Sequence, residues 1–377
     1  MCPAVELERR IDADERADES PLAVMARTTP TEYWNDSCAV AELDYAIARG
    51  AVGATSNPTI VGEVLKKEHD VWLPRIQAIA RERPLASDVD TTWQLIEEMA
   101  ARGAAQLASI HRGAAGRRGR LSIQTNPTFF RDAARMLEQG RRFAELAPNM
   151  QVKFPATAAG IAAIEVATFL GISINATVSF TVPQALAVGQ AVEQGLSRRQ
   201  AAGLDTSEMS PVCTVMMGRL DDWMKAIVER DDLALDPAAP NWAGIAVFKR
   251  AAAIFSERGW RTRPLAAAYR HVLHWTELIG GNVTLTMPYQ WQRRFNSSNV
   301  EVLPRFDEPV PERHLEALLE RIPDFRRAYE PDGLAVEEFD TYGATVRTLR
   351  TFIASYWDLV RAVDEILLPN PDVRRPA

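Results

Sequence analysis

Eight short apolar runs alternate with longer amphipathic segments along this chain, and the alternation predicts an α/β fold closed as a (β/α)8 TIM barrel. Two further observations agree. The runs are too apolar for strands with one wet face, as expected of a parallel sheet covered by helices. No G-x-G-x-x-G follows any of them, which disfavours the dinucleotide-binding version of the alternative architecture, a doubly wound open sheet.

The predicted strands, in order, are "TEYWND" (31–36), "AVGATS" (51–56), "RLSIQT" (120–125), "MQVKFP" (150–155), "GISINAT" (171–177), "SPVCTVM" (210–216), "PLAAAY" (264–269) and "NVTLTM" (282–287). Helical patterns lie between them. "NPTIVGEVLKKE" opens with Pro58, which suits a first helical turn after Asn57. "TTWQLIEEMAARGAAQLASI" (91–110) places Trp93, Ile96, Ala100, Leu107 and Ile110 near one face. "ATAAGIAAIEVATFLG" ends at Gly171, a helix-stop signal. Beyond residue 310 the pattern is helical, and residues 336–367 form the longest predicted element. Residues 1–28 read as an arm outside the main fold, and 29–377 as a single barrel with C-terminal helices.

Composition narrows the function. The chain has 377 residues, 47% hydrophobic and 25% charged, which are ordinary globular values. A net charge of −7 argues against nucleic-acid binding, and no apolar run reaches transmembrane length. Cys2, Cys38 and Cys213 are unclustered, so neither a disulfide framework nor a zinc site is expected. With a charged, acidic N-terminus in place of a signal peptide, the expected location is cytoplasmic.

Lys153 interrupts the apolar run "NMQVKFPATAAG" (149–160). Alternation in a strand turns it away from Val152 and Phe154, into a core or a cleft. A lysine at a sheet edge would snorkel to water; a buried one needs a partner or a task. Of the 43 basic Lys and Arg residues only five are lysines, at 66, 67, 153, 225 and 249. Where a generic positive charge suffices this chain writes Arg, which never gives up its proton and forms no imine.

Chemistry in a barrel gathers at the C-terminal ends of the strands. Those ends offer Asp36, then Thr55 and Asn57, then Ser122 and Gln124, then Lys153, Asn175 and Thr177, and finally Thr214, Arg219 and Arg270. An amine with a carboxylate suggests imine chemistry, and paired arginines suggest a phosphate. Each residue also has a plainer role open to it. Asp36 and Asn57 suit helix caps, Thr177 and Ser122 ordinary strand positions, and Arg219 a surface pair with Asp221 or Asp222.

Taken together, "GATSNPTI" (53–60), "VKFPATAAGIAAIE" (152–165), "GISINATVSF" (171–180), "TVMMGRLDDW" (214–223) and "AAAYRH" (266–271) resemble the transaldolase family of Schiff-base aldolases. The resemblance spans roughly residues 31–295. It implies a barrel with Lys153 as the imine-forming lysine and Asp36 as the acid/base. It likewise implies Thr55 and Asn57 as substrate and loop ligands, and Asn175 and Thr177 as holders of substrate hydroxyls and water. Thr214 stands where the family usually has serine, and Arg219 and Arg270 become a phosphate clamp. The expected partner is a sugar or sugar phosphate of carbohydrate metabolism such as the pentose phosphate pathway, with no cofactor and no metal. Oligomeric state is open, a homodimer being compatible.

Three positions depart from the family pattern: Gln124 replaces the glutamate of transaldolases but matches fructose-6-phosphate aldolase-like relatives, Ala268 replaces a serine, and Met216 an aromatic residue. A lyase acting on an unusual sugar is therefore the alternative to transfer, and a non-catalytic sugar-phosphate-binding barrel stands behind both. A metal-dependent aldolase needs clustered histidines; His271 and His274 read as helix-surface residues.

Overall fold

The computed structural model describes residues 19–372. Eight parallel strands close on themselves in sequence order, with the first paired to the last. They are β1 (Glu32–Asn35), β2 (Gly53–Thr55), β3 (Arg120–Gln124), β4 (Met150–Pro155), β5 (Ile174–Ser179), β6 (Val212–Met216), β7 (Arg263–Ala267) and β8 (Thr284–Met287). Each falls within or beside a predicted run. The (β/α)8 barrel expected from the alternation is the observed fold.

Helix α1 (Pro21–Thr28) precedes β1, and α2 (Val40–Ile47) follows it. Then come α3 (Pro58–Lys67), α4 (His69–Glu82), α5 (Asp88–Gly113), α6 (Ala133–Ala144), α7 (Ala158–Phe169) and α8 (Val182–Ala201). Next are α9 (Met217–Arg230), α10 (Ala243–Glu257), the short α11 (Leu273–Thr276) and α12 (Tyr289–Asn296). Last are α13 (Glu312–Arg321), α14 (Pro323–Tyr329) and α15 (Gly343–Leu367).

Local chemistry sets several boundaries. Asn57 caps α3, its Oδ1 accepting the Ile60 N–H at 3.0 Å, and Pro58 opens the first turn. Ser87 and Asp90 form a reciprocal capping box at the start of α5. The chain leaves α7 through Gly171, at φ +88°.

Two expectations about the ends are corrected. Residues 1–18 of the predicted arm lie outside the described residues, but residues 21–28 are not outside the fold. They form α1, and its Leu22 and Met25 are fully buried in the main core. The single helix expected over 336–367 is broken. A 3-10 turn over Val336–Thr341 ends at Tyr342, whose backbone is extended and whose ring is buried. Helix α15 restarts at Gly343, where a Cβ would stand 2.2 Å from the Trp223 ring.

The outward strand residues form the core with the helices: Val152 and Phe154 are fully buried, Phe154 lying against Gly140 of α6. The barrel interior is polar in its middle layer. Asn175 Nδ2 donates to Ser122 Oγ at 3.0 Å, Ser122 Oγ donates to Gln151 Oε1 at 2.8 Å, and Thr214 Oγ1 donates to Asn175 Oδ1 at 2.7 Å. Gln151 Nε2 donates to the carbonyls of Ile174 and Ser210, so the chain of donors is satisfied. Above this layer, at the C-terminal ends of the strands, a cavity of about 340 Å3 opens.

Candidate active site

Lys153 lines this cavity with only 4% of its surface exposed. A closed barrel has no edge, so the snorkelling alternative does not apply. Its Nζ donates to the Ser56 carbonyl at 3.3 Å. Burial lowers its pKa from the usual lysine value to about 8; the charge of Asp36 opposes that fall and the charge of Arg219 adds to it. At neutral pH roughly a tenth of such an amine is unprotonated.

Asp36 lines the same cavity just beyond the end of β1. It does not cap a helix: α2 begins at Val40 after Ala39. Its Oδ1 accepts from Thr55 Oγ1 at 2.6 Å, and the Thr55 and Thr286 hydroxyls are 2.6 Å apart. Thr55 has one hydroxyl proton, which goes to Asp36, so Thr286 donates to Thr55. Burial raises the Asp36 pKa above the ordinary carboxylate value, against Lys153, the Thr55 hydrogen bond and Arg219, which all lower it. Thr55 is thus placed as a support for Asp36, one layer below the cavity wall.

The remaining expected residues divide between cavity and interior. Thr177, Thr214, Asn57, Arg219 and Arg270 line the cavity. Thr177 sits at an irregularity of β5 between Ala176 and Ser179, next to Val178 at φ +54°, and its buried hydroxyl has no partner among the described residues. Asn57 both caps α3 and faces the cavity. Ser122 and Asn175 do not reach it; they belong to the satisfied polar layer beneath. Gln124 is buried with its Oε1 unpartnered, and it too lies outside the cavity lining.

The two arginines differ. Arg270 is held by a forked pair with Asp222, Nε and Nη2 reaching Oδ2 at 3.0 and 2.8 Å. The Asp222 pairing considered for Arg219 thus belongs to Arg270. Arg219 pairs with no carboxylate among the described residues; its guanidinium lies 5.2 Å from the Phe352 ring centroid. Burial, and then the charge of Arg270, hold its pKa below the usual value. The first turn of α9, which carries Arg219, and the loop that carries Arg270 approach closely because residue 218 is glycine. A Cβ there would stand 1.9 Å from the Ala268 carbonyl oxygen and 2.7 Å from Arg270 Cγ.

His271 and His274 are not free helix-surface residues. His274 is fully buried, and both Nε2 atoms face Asp221 Oδ2, at 3.1 and 2.9 Å. The three ligand atoms lie within 4.8 Å of one another, a spacing a metal would accept. The protonation pattern opposes that use. His274 Nδ1 accepts the Arg270 N–H at 3.1 Å, so the neutral ring carries its proton on Nε2, facing Asp221. The cluster holds the backbone of Arg270 in place.

Tyr269, Thr286, Trp291 and Arg294 also line the cavity and were not among the expected site residues. Tyr269 is buried with an unpartnered hydroxyl, and burial, then the Asp36 charge, push its pKa well above the usual value. Its signal was present, since it lies beside Arg270 at the end of the seventh run. Trp291 and Arg294 come from α12, beyond the last strand end considered, with the Arg294 guanidinium 4.8 Å from the Trp291 centroid.

Comparison with known proteins agrees with this geometry. Residues 33–331 match the family described as Transaldolase/Fructose-6-phosphate aldolase. The chain is 31% identical over 267 residues to a transaldolase of Mycolicibacterium smegmatis, covering 64% of this chain and 70% of that protein. It is 34% identical over 176 residues to a transaldolase of Thermobifida fusca, covering 46% and 47% respectively. With "Transaldolase 2" of Streptomyces avermitilis the identity is 28% over 260 residues, 63% of this chain and 69% of that one. Among the described residues no helix is long and apolar enough to cross a membrane. The eight-stranded barrel and the family match over most of its length lead to one assignment: the chain belongs to the transaldolase/fructose-6-phosphate aldolase family and is an enzyme of the transaldolase or class I aldolase type.

Proposed function

We propose that the protein forms an imine between Lys153 and a ketose phosphate and transfers a dihydroxyacetone unit to an aldose acceptor. The observation that carries the reading is a buried lysine with its pKa lowered to about 8, lining one cavity with Asp36 and three arginines. The neutral Nζ adds to the ketone carbonyl, and the resulting carbinolamine takes up a proton from solvent and loses water to leave a protonated imine. Asp36 takes the proton of the hydroxyl two carbons from the imine carbon, the bond from that hydroxyl-bearing carbon to the carbon next to the imine breaks, and its electron pair moves toward the imine to give an enamine. The aldose half departs. Attack of the enamine on an acceptor aldehyde, then hydrolysis of the new imine, completes transfer. We assign the Thr177 hydroxyl to a substrate hydroxyl or the hydrolytic water, because it belongs to a cavity-lining residue and has no partner among the described residues. No cofactor enters these steps, because the lysine imine is itself the electron sink.

Gln124 favours a second reading, simple aldol cleavage, because an amide cannot relay protons as a carboxylate does. Borohydride trapping with a panel of ketose phosphates, read by intact mass, tests both readings. Imine formation is expected as a gain of the reduced sugar mass; product analysis with and without an aldose then separates transfer from cleavage. Failure to trap any ketose would overturn the imine mechanism.

The arginines make the phosphate dependence specific. Arg219 lacks a carboxylate partner, whereas Arg270 already has Asp222. One charge-assisted hydrogen bond is worth about 1.5–3 kcal/mol, so Arg219→Met is expected to lower kcat/KM for a phosphorylated ketose about ten- to a hundredfold. Arg270→Met should cost less. Neither change should much affect the unphosphorylated analogue, and equal losses on both substrates would remove the clamp from the scheme.

A further inference from the structure

A second cavity, of about 650 Å3, lies at the opposite end of the barrel from Lys153. Its walls are strand starts and the loops that lead into them: Glu32 begins β1, Val212 β6, Arg263 β7 and Thr284 β8. This face of a barrel ordinarily serves stability and not chemistry, and hydrophobic packing or a simple salt bridge would be enough there. Here four arginines, Arg117, Arg118, Arg261 and Arg263, share the cavity with one carboxylate, Glu32.

That carboxylate is shared twice. Glu32 Oε1 accepts from Arg118 at 2.6 Å and stands 3.3 Å from Arg263. The Arg261 guanidinium donates to the Thr206 carbonyl at 2.6 Å and forms no ion pair among the described residues. For the Arg117 side chain there is no hydrogen-bond or ion-pair partner among the described residues, and it is exposed at the cavity mouth.

The interior wall adds unmet donors. Trp34, 4% exposed, keeps its indole N–H without a partner, and so do Arg263 Nε and the fully buried Thr284 hydroxyl. Buried N–H groups are rarely left unpaired in folded proteins. All three residues line this one cavity, and two of the three groups can only donate. With four arginines against one carboxylate in its lining, the cavity selects an anion over a cation or an apolar ligand. The volume far exceeds a single inorganic anion, so room remains for an organic portion.

We propose that this N-terminal cavity is a second ligand site, for a phosphate-bearing small molecule, formed by Arg117, Arg118, Arg261 and Arg263 with Trp34 and Thr284 at its base. The site is separate from the Lys153 cavity and shares no residue with it. A ligand here touches no substrate.

Isothermal titration with inorganic pyrophosphate tests the proposal on the full chain. Arg219→Met, Arg270→Met and Arg294→Met together remove the arginines at the other face and provide the background. In that background one binding event is expected to remain. Adding Arg117→Ala, an exposed change that leaves the fold alone, should weaken it roughly tenfold. Adding Arg261→Met, which removes a guanidinium and keeps much of the side-chain length, should weaken it about fivefold. Loss of all binding in the background variant would overturn the proposal, as would residual binding that neither change alters. Circular dichroism confirms that each variant is folded, so a lost signal reports on the site.

Discussion

Lys153→Met is expected to fold normally and to gain no sugar mass in borohydride with any ketose, while kcat falls to the detection limit. Methionine keeps the length and much of the volume of the lysine and removes its amine. In the wild type the trapping rate should rise with pH up to about 8 and then level off, because the folded-state pKa is lowered to about 8 and only the neutral amine attacks. An unperturbed lysine would instead keep rising toward pH 10. Trapping that persists in the variant would assign the nucleophile to another lysine. Lys249 is the next most enclosed, donating to Glu277 at 3.4 Å and to the carbonyls of Arg305 and Glu308, and it lies outside the cavity lining.

Asp36→Asn separates imine formation from bond cleavage. The amide retains an oxygen to accept the Thr55 hydrogen bond, so the local geometry is kept. The variant should still be trapped by borohydride, yet turn over about two to four orders of magnitude more slowly, the usual worth of a positioned proton carrier. Turnover near the wild-type rate would reduce Asp36 to an electrostatic neighbour of Lys153. The support of Asp36 by Thr55, and of Thr55 by Thr286, holds one carboxylate oxygen fixed.

Much of this arrangement was legible in the sequence because a barrel converts order along the chain into position around a ring. Once eight strands are placed, every strand end points to the same rim, so Asp36, Lys153, Thr177, Arg219 and Arg270 follow from register alone. What alternation cannot supply is depth. Ser122 and Asn175 have the same inward direction as Lys153 but lie in the layer below, and only the stagger of the closed sheet separates the two. Nor can it supply partners. Asp221 and Asp222 are adjacent in sequence, yet one faces two histidines and the other Arg270, because consecutive helix residues point about a hundred degrees apart. Arg294 escaped notice because its helix follows the last strand, where the loop pattern no longer announces a site. Residues 21–28 were misread for a related reason: a short apolar helix ahead of the first strand shows nothing of the surface it will cover.

Helix α15 links the end of the chain to its beginning. Trp93 of α5 donates its indole N–H to the Tyr356 hydroxyl at 3.3 Å, Thr59 donates to Ser355 Oγ at 2.9 Å, and Phe352 lies under the guanidinium of Arg219. These contacts span 263, 296 and 133 residues of sequence. During synthesis the eight strands are made in order, and the last of them, ending at Met287, precedes residue 343. The segment that stacks against Arg219 arrives afterwards. Contacts of such separation slow folding, since loop closure comes before the gain from packing. A barrel caught before α15 docks exposes the surfaces later covered by Phe352, Tyr356 and Leu359, all buried in the finished protein. Any state with a closed sheet and α15 undocked would carry these apolar surfaces into solvent, the kind of exposure that invites aggregation and chaperone capture.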